Sequence, residues 1–185
     1  MRDDAIAVLQ SWRPPDEPQS QLREAYLAFL VEHDDAMWRE CRVGHLTASA
    51  LVLDDRRERV LLTLHPKVGR WLQLGGHCEP DDLSLREAAR REAIEESGIA
   101  EVRMSAAPLR LDRHPVPCAG QMSEHLDVQY LATVRSDARA VMSDESDDLR
   151  WFPVSELPDD LDESVRALIA AALLPGATLG EMSAE

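Results

Sequence analysis

The sequence lacks long hydrophobic runs, since no stretch approaches the ~18–20 consecutive apolar residues that a transmembrane helix needs. Its first residues, Met-Arg-Asp-Asp, are acidic and are not followed by the apolar core of a secretion signal. We therefore expect a cytoplasmic protein that does not associate with a membrane. No internal repeat or low-complexity tract interrupts the 185 residues, a length typical of one domain.

Cysteine is also scarce, and the placement of its three copies argues against two kinds of site. Cys41, Cys78 and Cys118 are odd in number and show no C-x-x-C spacing, so neither a disulfide framework nor a zinc finger is indicated. The six histidines are scattered, and none forms an H-x3-H or H-E-x-x-H pattern. We expect these histidines to have ordinary core or surface roles.

Basic residues are few relative to acids. The chain has 20 lysines and arginines against 35 aspartates and glutamates, which gives a net charge of −15. Proteins that bind nucleic acid usually carry a basic surface that neutralises phosphates, so we expect no nucleic-acid partner. An anionic small molecule would need cations placed locally at its binding site.

Hydrophobic periodicity predicts helices near both ends of the chain and strands between them. The intervals between Leu22, Tyr26 and Phe29 are typical of an amphipathic helix, and residues 162–174 predict a closing helix before a frayed tail over residues 176–185. Short apolar segments predict strands within residues 45–54, 59–65, 68–74, 100–114, 124–136 and 147–158. This order predicts an α/β layered fold with a mixed sheet.

The middle of the chain, residues 75–99, reads GGHCEPDDLSLREAARREAIEESGI and predicts a well-defined helix. Ser84 with Glu87 three residues later makes a capping box at its start. Gly98 suits the position just after its end, so the helix should run over residues 85–97.

This helix is unusual in placing acids on its apolar face. At ~100° per residue, Glu92 and Glu96 fall within the apolar stripe, and Glu95 lies at its edge. Acid-rich helix faces are usually solvated, but here Gly75 and Gly76 precede the helix and allow close approach of the backbone to a ligand. Carboxylates this close repel each other, and oxygen ligands at this density suit Mg²⁺ or Mn²⁺ better than zinc.

The glycine pair and the acidic helix together form a known motif. Gly76 is followed after five residues by Asp82, and REAIEESGI occupies residues 91–99. This pattern resembles the box G-x5-E-x7-R-E-U-x-E-E-x-G-U of the Nudix hydrolase family, in which U is a bulky aliphatic residue. The sequence departs from it where Asp82 replaces glutamate, where Ala93 is small for a U position, and where the loop after Asp82 carries one extra residue. With its flanking strands, the likeness covers residues 44–158.

The resemblance implies a Nudix-type α/β/α sandwich over residues 44–175, including the C-terminal helix, with residues 1–43 as an N-terminal helical extension. It implies hydrolysis of the pyrophosphate linkage of a nucleoside diphosphate derivative by attack of water at phosphorus, with Mg²⁺ or Mn²⁺ as cofactor. Two alternatives stay open: a Nudix-like sensor that binds a nucleotide or ADP-ribose-type ligand without turnover, and an isomerase, which fits the glutamate cluster less well. Many relatives form homodimers, and the oligomeric state of this chain is left open.

The resemblance further assigns roles to individual residues. Glu92, Glu95 and Glu96 would be metal ligands, together with the carbonyl oxygen of Gly76. The general base is left open between Glu92 and Glu145, which lies in an acidic loop just ahead of the last predicted strand. A solvated loop is an equally good interpretation of that segment.

Two other groups of residues have predicted roles. The resemblance implies that Arg91 and Asp82 pair and shape the box rather than touching substrate. His65, Lys67 and Arg70 supply cations or donors shortly before the glycine turn, and we predict that they bind substrate.

Overall fold

The computed structural model describes residues 1–118, 120–144 and 146–175, which form four helices and eight strands. In chain order these are α1 (Arg2–Ser11), α2 (Glu17–Glu32), β1 (His45–Asp54), β2 (Arg59–His65), β3 (Arg70–Leu72), β4 (Leu74–His77), α3 (Leu85–Ser97), β5 (Arg103–Met104), β6 (Arg110–Cys118), β7 (Gln121–Val134), β8 (Asp148–Pro153) and α4 (Glu163–Ala172). No helix in this part of the chain is both long enough and apolar enough to span a bilayer.

All the strands join one mixed sheet. Its central order is β3-β2-β1-β7-β5, while β4 pairs with β1, β6 with β7 and β8 with β2. Strands β1 and β7 run parallel, with His45 opposite His125 at one end and Asp54 opposite Val134 at the other. The other recorded pairs are antiparallel. The mixed sheet predicted from the order of elements is therefore present.

Alternate residues of β1 point into two separate cores. Ala48 and Ala50 pack with residues of α1, α2 and α3 on one side of the sheet. Leu51 and Leu53 pack with residues of α4 on the other side. Successive side chains of a strand point to opposite faces, so a strand covered by helices on both sides is buried along its whole length. The result is the predicted α/β/α sandwich.

Helix α3 begins and ends where its sequence signals predict. The Ser84 hydroxyl oxygen accepts a hydrogen bond of 3.1 Å from the Glu87 amide, and Gly98 adopts φ 66° in the left-handed region. A second cap comes from α1, where a carboxylate oxygen of Asp4 accepts a hydrogen bond of 2.9 Å from the Leu85 amide. The N-terminal helix therefore helps to fix the start of α3.

The N-terminal helices pack in the same layer as α3. Sequence analysis assigned no element to the first dozen residues, yet they form α1, and its Ala5 is fully buried. On α2, the Tyr26 hydroxyl donates a hydrogen bond of 2.5 Å to the backbone carbonyl of Asp112 on β6. The division between residues 1–43 and 44–175 stays a prediction, and the two parts contribute to one shared core.

Gln19 fastens α2 to strand β6. Its buried side chain donates to the carbonyl of Leu111 at 3.0 Å and accepts from the amide of Leu111 at 2.7 Å. Gln19→Leu would leave both backbone groups without this partner, which should lower the free energy of unfolding by about 2 kcal/mol in urea denaturation. Gln21→Leu, exposed on the same helix, is the control and should change it by less than about 0.5 kcal/mol. Equal effects of the two substitutions would contradict the role given to Gln19.

Candidate active site and metal centre

Two glutamates of helix α3 are buried, and a third is largely exposed to solvent. Glu92 and Glu96 are 8% and 9% exposed, whereas the side chain of Glu95 is 57% exposed. This is the distribution that the helical period predicts. The carboxylates of Glu92 and Glu96, one helical turn apart, are thus largely shielded from solvent. Their mutual repulsion is therefore stronger than on an open surface.

Strand β4 brings Gly76 directly against one of these carboxylates. A Cβ atom at position 76 would lie 2.6 Å from Oε1 of Glu92 and 2.9 Å from its Oε2. Glycine therefore lets the strand backbone approach a carboxylate more closely than any other residue would. The donors gathered here are all oxygen atoms, so the residues present fit a hard divalent cation such as Mg²⁺ or Mn²⁺.

Arg91 contacts acidic residues of both the loop before α3 and α3 itself. Its Nε and Nη2 contact the two carboxylate oxygens of Asp82, each at 3.0 Å. Its Nη1 contacts Glu92 at 3.0 Å and Glu95 at 2.9 Å, and Nη2 also donates to the carbonyl of His77 at 2.9 Å. The extra loop residue after Asp82 thus leaves the bidentate pairing of Arg91 with Asp82 in place.

Negative charge remains in excess around this arginine. Burial alone would raise the pKa of Asp82, but hydrogen bonds from Arg91 and from the Glu79 amide outweigh it and hold that pKa below its usual range. The hydrogen bond to Asp82 in turn raises the pKa of Arg91. One guanidinium thus contacts Asp82, Glu92 and Glu95, and Glu79 lies 3.9 Å from it. A divalent cation would neutralise part of the remaining charge.

The predicted substrate residues lie together at the end of the β2–β3 hairpin. His65 ends β2, and its Nδ1 accepts a hydrogen bond of 3.2 Å from the amide of the exposed Lys67. Arg70 begins β3 and pairs at 3.2 Å with Asp162, the N-cap of α4. Burial lowers the pKa of His65, so its ring is neutral at pH 7. These three residues therefore lie together on the β2–β3 hairpin, whereas the glutamates of the box lie on α3.

The second candidate base, Glu145, lies outside the described residues. The residues around it approach strand β2. Thr63 donates a hydrogen bond of 2.6 Å to the hydroxyl of Ser146, and the amide of Asp147 donates to the carbonyl of Leu64 at 3.0 Å. The choice between Glu92 and Glu145 as general base therefore stays a prediction.

A second polar cluster lies on the sheet face opposite α3, and sequence analysis did not identify it. The rings of His45, His77 and His125 lie with their centroids 4.9 to 5.1 Å apart, and His114 lies 5.6 Å from His125. The register explains the cluster, because it sets His45 opposite His125 and His77 opposite Thr47. These histidines come from four strands, so no local spacing could indicate them.

Asp127 extends this cluster into the interior. It is 4% exposed and accepts hydrogen bonds from Thr47 at 3.0 Å, Ser49 at 2.6 Å and Gln73 at 3.1 Å. Burial raises the pKa of Asp127, although the two hydroxyl groups oppose the shift. The sequence signal for Asp127 was the alternation of polar and apolar residues in β7. This alternation predicts the strand, but it does not predict that helix α4 covers the polar side.

The pKa values of the histidines in this cluster shift in different directions. Burial lowers the pKa of His77 to about 4 and that of His125 to about 3. Burial also lowers the pKa of His45, and the nearby carbonyl of Cys41 only partly opposes the shift. All three rings are therefore neutral at pH 7. His114 behaves oppositely, because its hydrogen bond of 2.7 Å to Asp112 raises its pKa.

A family model described as the NUDIX domain matches residues 44–172, which is more than half of the chain. The chain belongs to the Nudix hydrolase family. No curated protein matches this Nudix sequence.

Solved structures support the same assignment. A hydrolase of the NUDIX family from Clostridium perfringens is 27% identical, with a TM-score of 0.53, and the match covers 69% of this chain and 93% of that one. A MutT NUDIX hydrolase from Burkholderia pseudomallei is 29% identical, with a TM-score of 0.53, over 68% of this chain and 95% of that one. The NUDIX domain of Shewanella oneidensis NrtR, complexed with ADP ribose, is 21% identical, with a TM-score of 0.54. That match covers 78% of this chain and 94% of the other. This last likeness concerns the Nudix fold alone.

Proposed function

We propose that this Nudix hydrolase cleaves the pyrophosphate linkage of a small-molecule nucleoside diphosphate derivative and depends on Mg²⁺ or Mn²⁺. The observation that carries the proposal is the approach of Gly76 to the buried carboxylate of Glu92, beside Glu95 and Glu96 on the same helix. The family supplies the general pyrophosphohydrolase activity. The density of oxygen donors supplies the physical reason for a divalent cation.

Four groups of the chain would hold the metal ion: the carboxylates of Glu92, Glu95 and Glu96 and the carbonyl oxygen of Gly76. When bound, a divalent cation supplies positive charge that offsets the phosphate oxygens and makes phosphorus accessible to an anionic or polarised nucleophile. The carboxylates belong to one helix capped at both ends, so the helix backbone sets their spacing. Arg91 also ties Asp82 and its loop to this helix.

In the proposed reaction, a water oxygen attacks one phosphorus of the pyrophosphate. A new P–O bond forms while the bond from that phosphorus to the bridging oxygen breaks, and the leaving phosphate keeps the electron pair. The proton of the water passes to a carboxylate, for which Glu92 and Glu145 are the candidates. Among the described residues, Glu92 is the candidate that lies beside Gly76.

We propose that His65, Lys67 and Arg70 contact the substrate. Their positions at one hairpin end would give a polyphosphate chain two cations and one neutral donor. Arg70 is now paired with Asp162, but both side chains are partly exposed at 57% and 32%. Exposed pairs contribute at most about 1 kcal/mol, so a substrate phosphate can compete for this arginine.

The test is turnover of a panel of nucleoside diphosphate derivatives, with release of phosphate or nucleotide as the readout. We expect hydrolysis with Mg²⁺ or Mn²⁺ and its loss in the presence of a chelator, with recovery when the metal ion is restored. Hydrolysis that continues at full rate with chelator would contradict the metal dependence. Lack of turnover across the panel, combined with thermal stabilisation by ADP-ribose or a nucleotide, would favour the sensor instead.

A further inference from the structure

We propose that His45, His77 and His125 form a binding site for Zn²⁺ or a similar transition-metal ion. This site lies on the opposite face of the sheet from the carboxylates of α3. The proposal is separate from the proposed hydrolysis, since zinc can bind here whichever pyrophosphate the enzyme cleaves.

The separation of the three rings suits coordination of one ion. One ring nitrogen from each residue can be chosen so that all three lie within 4.8 Å of one another. Three imidazoles around a tetrahedral zinc ion, with Zn–N distances of ~2.0–2.1 Å, have their ring centres about 5 Å apart. The observed centroid separations are 4.9, 5.0 and 5.1 Å. His45 and His77 stack at 29°, so binding requires these two rings to turn and to direct one nitrogen each at the ion.

Four ring nitrogens of the triad are buried and lack hydrogen-bond partners in the part of the chain that the structure describes. His45 is 0% exposed, and neither of its nitrogens has a partner with hydrogen-bond geometry, although the Cys41 carbonyl lies close enough to oppose the lowering of the His45 pKa. Nε2 of His77 and Nε2 of His125 are also buried without one. A buried polar atom without a partner costs about 1–3 kcal/mol. Coordination of a metal ion would use one nitrogen lone pair from each neutral ring.

The strand geometry keeps this site apart from the acids. Gly76 faces Glu92 on α3, and the next residue of β4, His77, projects from the other face of the sheet. The ligand types also differ, because imidazole suits zinc and its neighbours whereas carboxylate and carbonyl oxygens suit magnesium. Each cation should therefore prefer its own face.

The site would keep one coordination position open. Three histidine ligands leave the fourth position of a tetrahedral ion to a water molecule or to an anionic donor of a ligand. His114 is not counted as a ligand, because its ring pairs with Asp112 and lies 5.6 Å from His125, a larger separation than those within the triad. A site of this kind would accept a small anion or another ligand that coordinates zinc.

The experiment measures zinc binding to full-length protein stripped of metal, by calorimetry and by the visible spectrum of bound Co²⁺. The wild type and Glu96→Gln should each bind one Zn²⁺ per chain in the histidine site with similar affinity. His125→Asn and His77→Gln should weaken that binding by about a hundredfold or more and lose the spectrum of imidazole-bound Co²⁺. Thermal unfolding without metal shows whether each variant is folded.

A matched control addresses the other histidine-containing cluster, formed by His33, Asp35 and Cys41. Asp35→Asn should bind zinc as the wild type does. Loss of zinc binding in Asp35→Asn with retention in folded His125→Asn would place the ion in that cluster and overturn the proposal. Loss in Glu96→Gln would place it among the carboxylates and overturn it as well, as would absence of binding by the wild type. None of these outcomes depends on whether hydrolysis occurs.

Discussion

Replacing Glu96 with glutamine is expected to reduce Mg²⁺-dependent turnover by about a hundredfold or more, while the protein stays folded. The substitution removes one negative charge from the acids of α3 but changes the side-chain volume little. Glu96 is only 9% exposed, so its charge acts in a region with little screening by solvent. A metal ion supplies several kcal/mol of transition-state stabilisation, and each ~1.4 kcal/mol is worth a factor of ten in rate.

The measurement is kcat and KM of Glu96→Gln over a range of Mg²⁺ concentrations, with thermal unfolding in parallel. We expect the variant to unfold near the wild-type temperature without metal and to lose much of the stabilisation that Mg²⁺ confers. Glu87→Gln is the matched control, because Glu87 lies on the outer side of the same helix and pairs with Arg86 and Arg90 at 3.6 and 3.9 Å. Wild-type activity in Glu96→Gln, with unchanged Mg²⁺ dependence, would rule out its assignment as a ligand.

Arg91→Met is expected to lower the free energy of unfolding by about 3 kcal/mol. Methionine keeps much of the length of the side chain but leaves the carboxylates without their cation. The side chains of Asp82 and Glu92 are 6% and 11% exposed, so both would be left largely buried beside like charges. The loss of a hydrogen bond to the His77 carbonyl adds to the effect.

Urea denaturation with and without Mg²⁺ checks this expectation. Added Mg²⁺ should restore part of the stability of Arg91→Met, because it supplies positive charge to the same acids. Arg90→Met is the control, since the side chain of Arg90 is 40% exposed and lies 3.9 Å from Glu87. Its effect should stay below about 0.5 kcal/mol. Similar destabilisation in both variants would show that the network around Arg91 contributes little.

The pH dependence of stability provides a second test of the interaction between Arg91 and Asp82. The folded-state pKa of Asp82 lies below its ordinary value of 3.8, mainly through the hydrogen bond from Arg91 once burial is offset. The stability that Asp82 contributes is therefore fully present above pH 3.8 and is lost as the pH falls through the lower folded-state pKa. In Arg91→Met this acid-dependent loss should shrink, because the folded-state pKa returns toward or above the unfolded value.

Much of the fold follows from local signals that act within a few residues. The boundaries of α3 were predicted from Ser84 and Gly98, and the structure has them at Leu85 and Ser97. The first two strands were predicted at their observed bounds, since each is a short apolar segment and a charged turn joins them. Helix α1 was missed, because its burial depends on packing against α2 and the sheet rather than on a strong pattern of its own.

The sequence by itself determined the acidic stripe of α3, because the helical period alone sets which side chains share a face. Only the tertiary structure decided what faces that stripe, namely the close approach of Gly76 to Glu92, and whether the pairing predicted for Arg91 and Asp82 forms across a loop with one extra residue. The three histidines are the extreme case, since His45 and His125 are 80 positions apart and meet through the register of β1 and β7. Such contacts depend on how strands align and which face each helix covers, and neither property is encoded in the spacing of neighbouring residues.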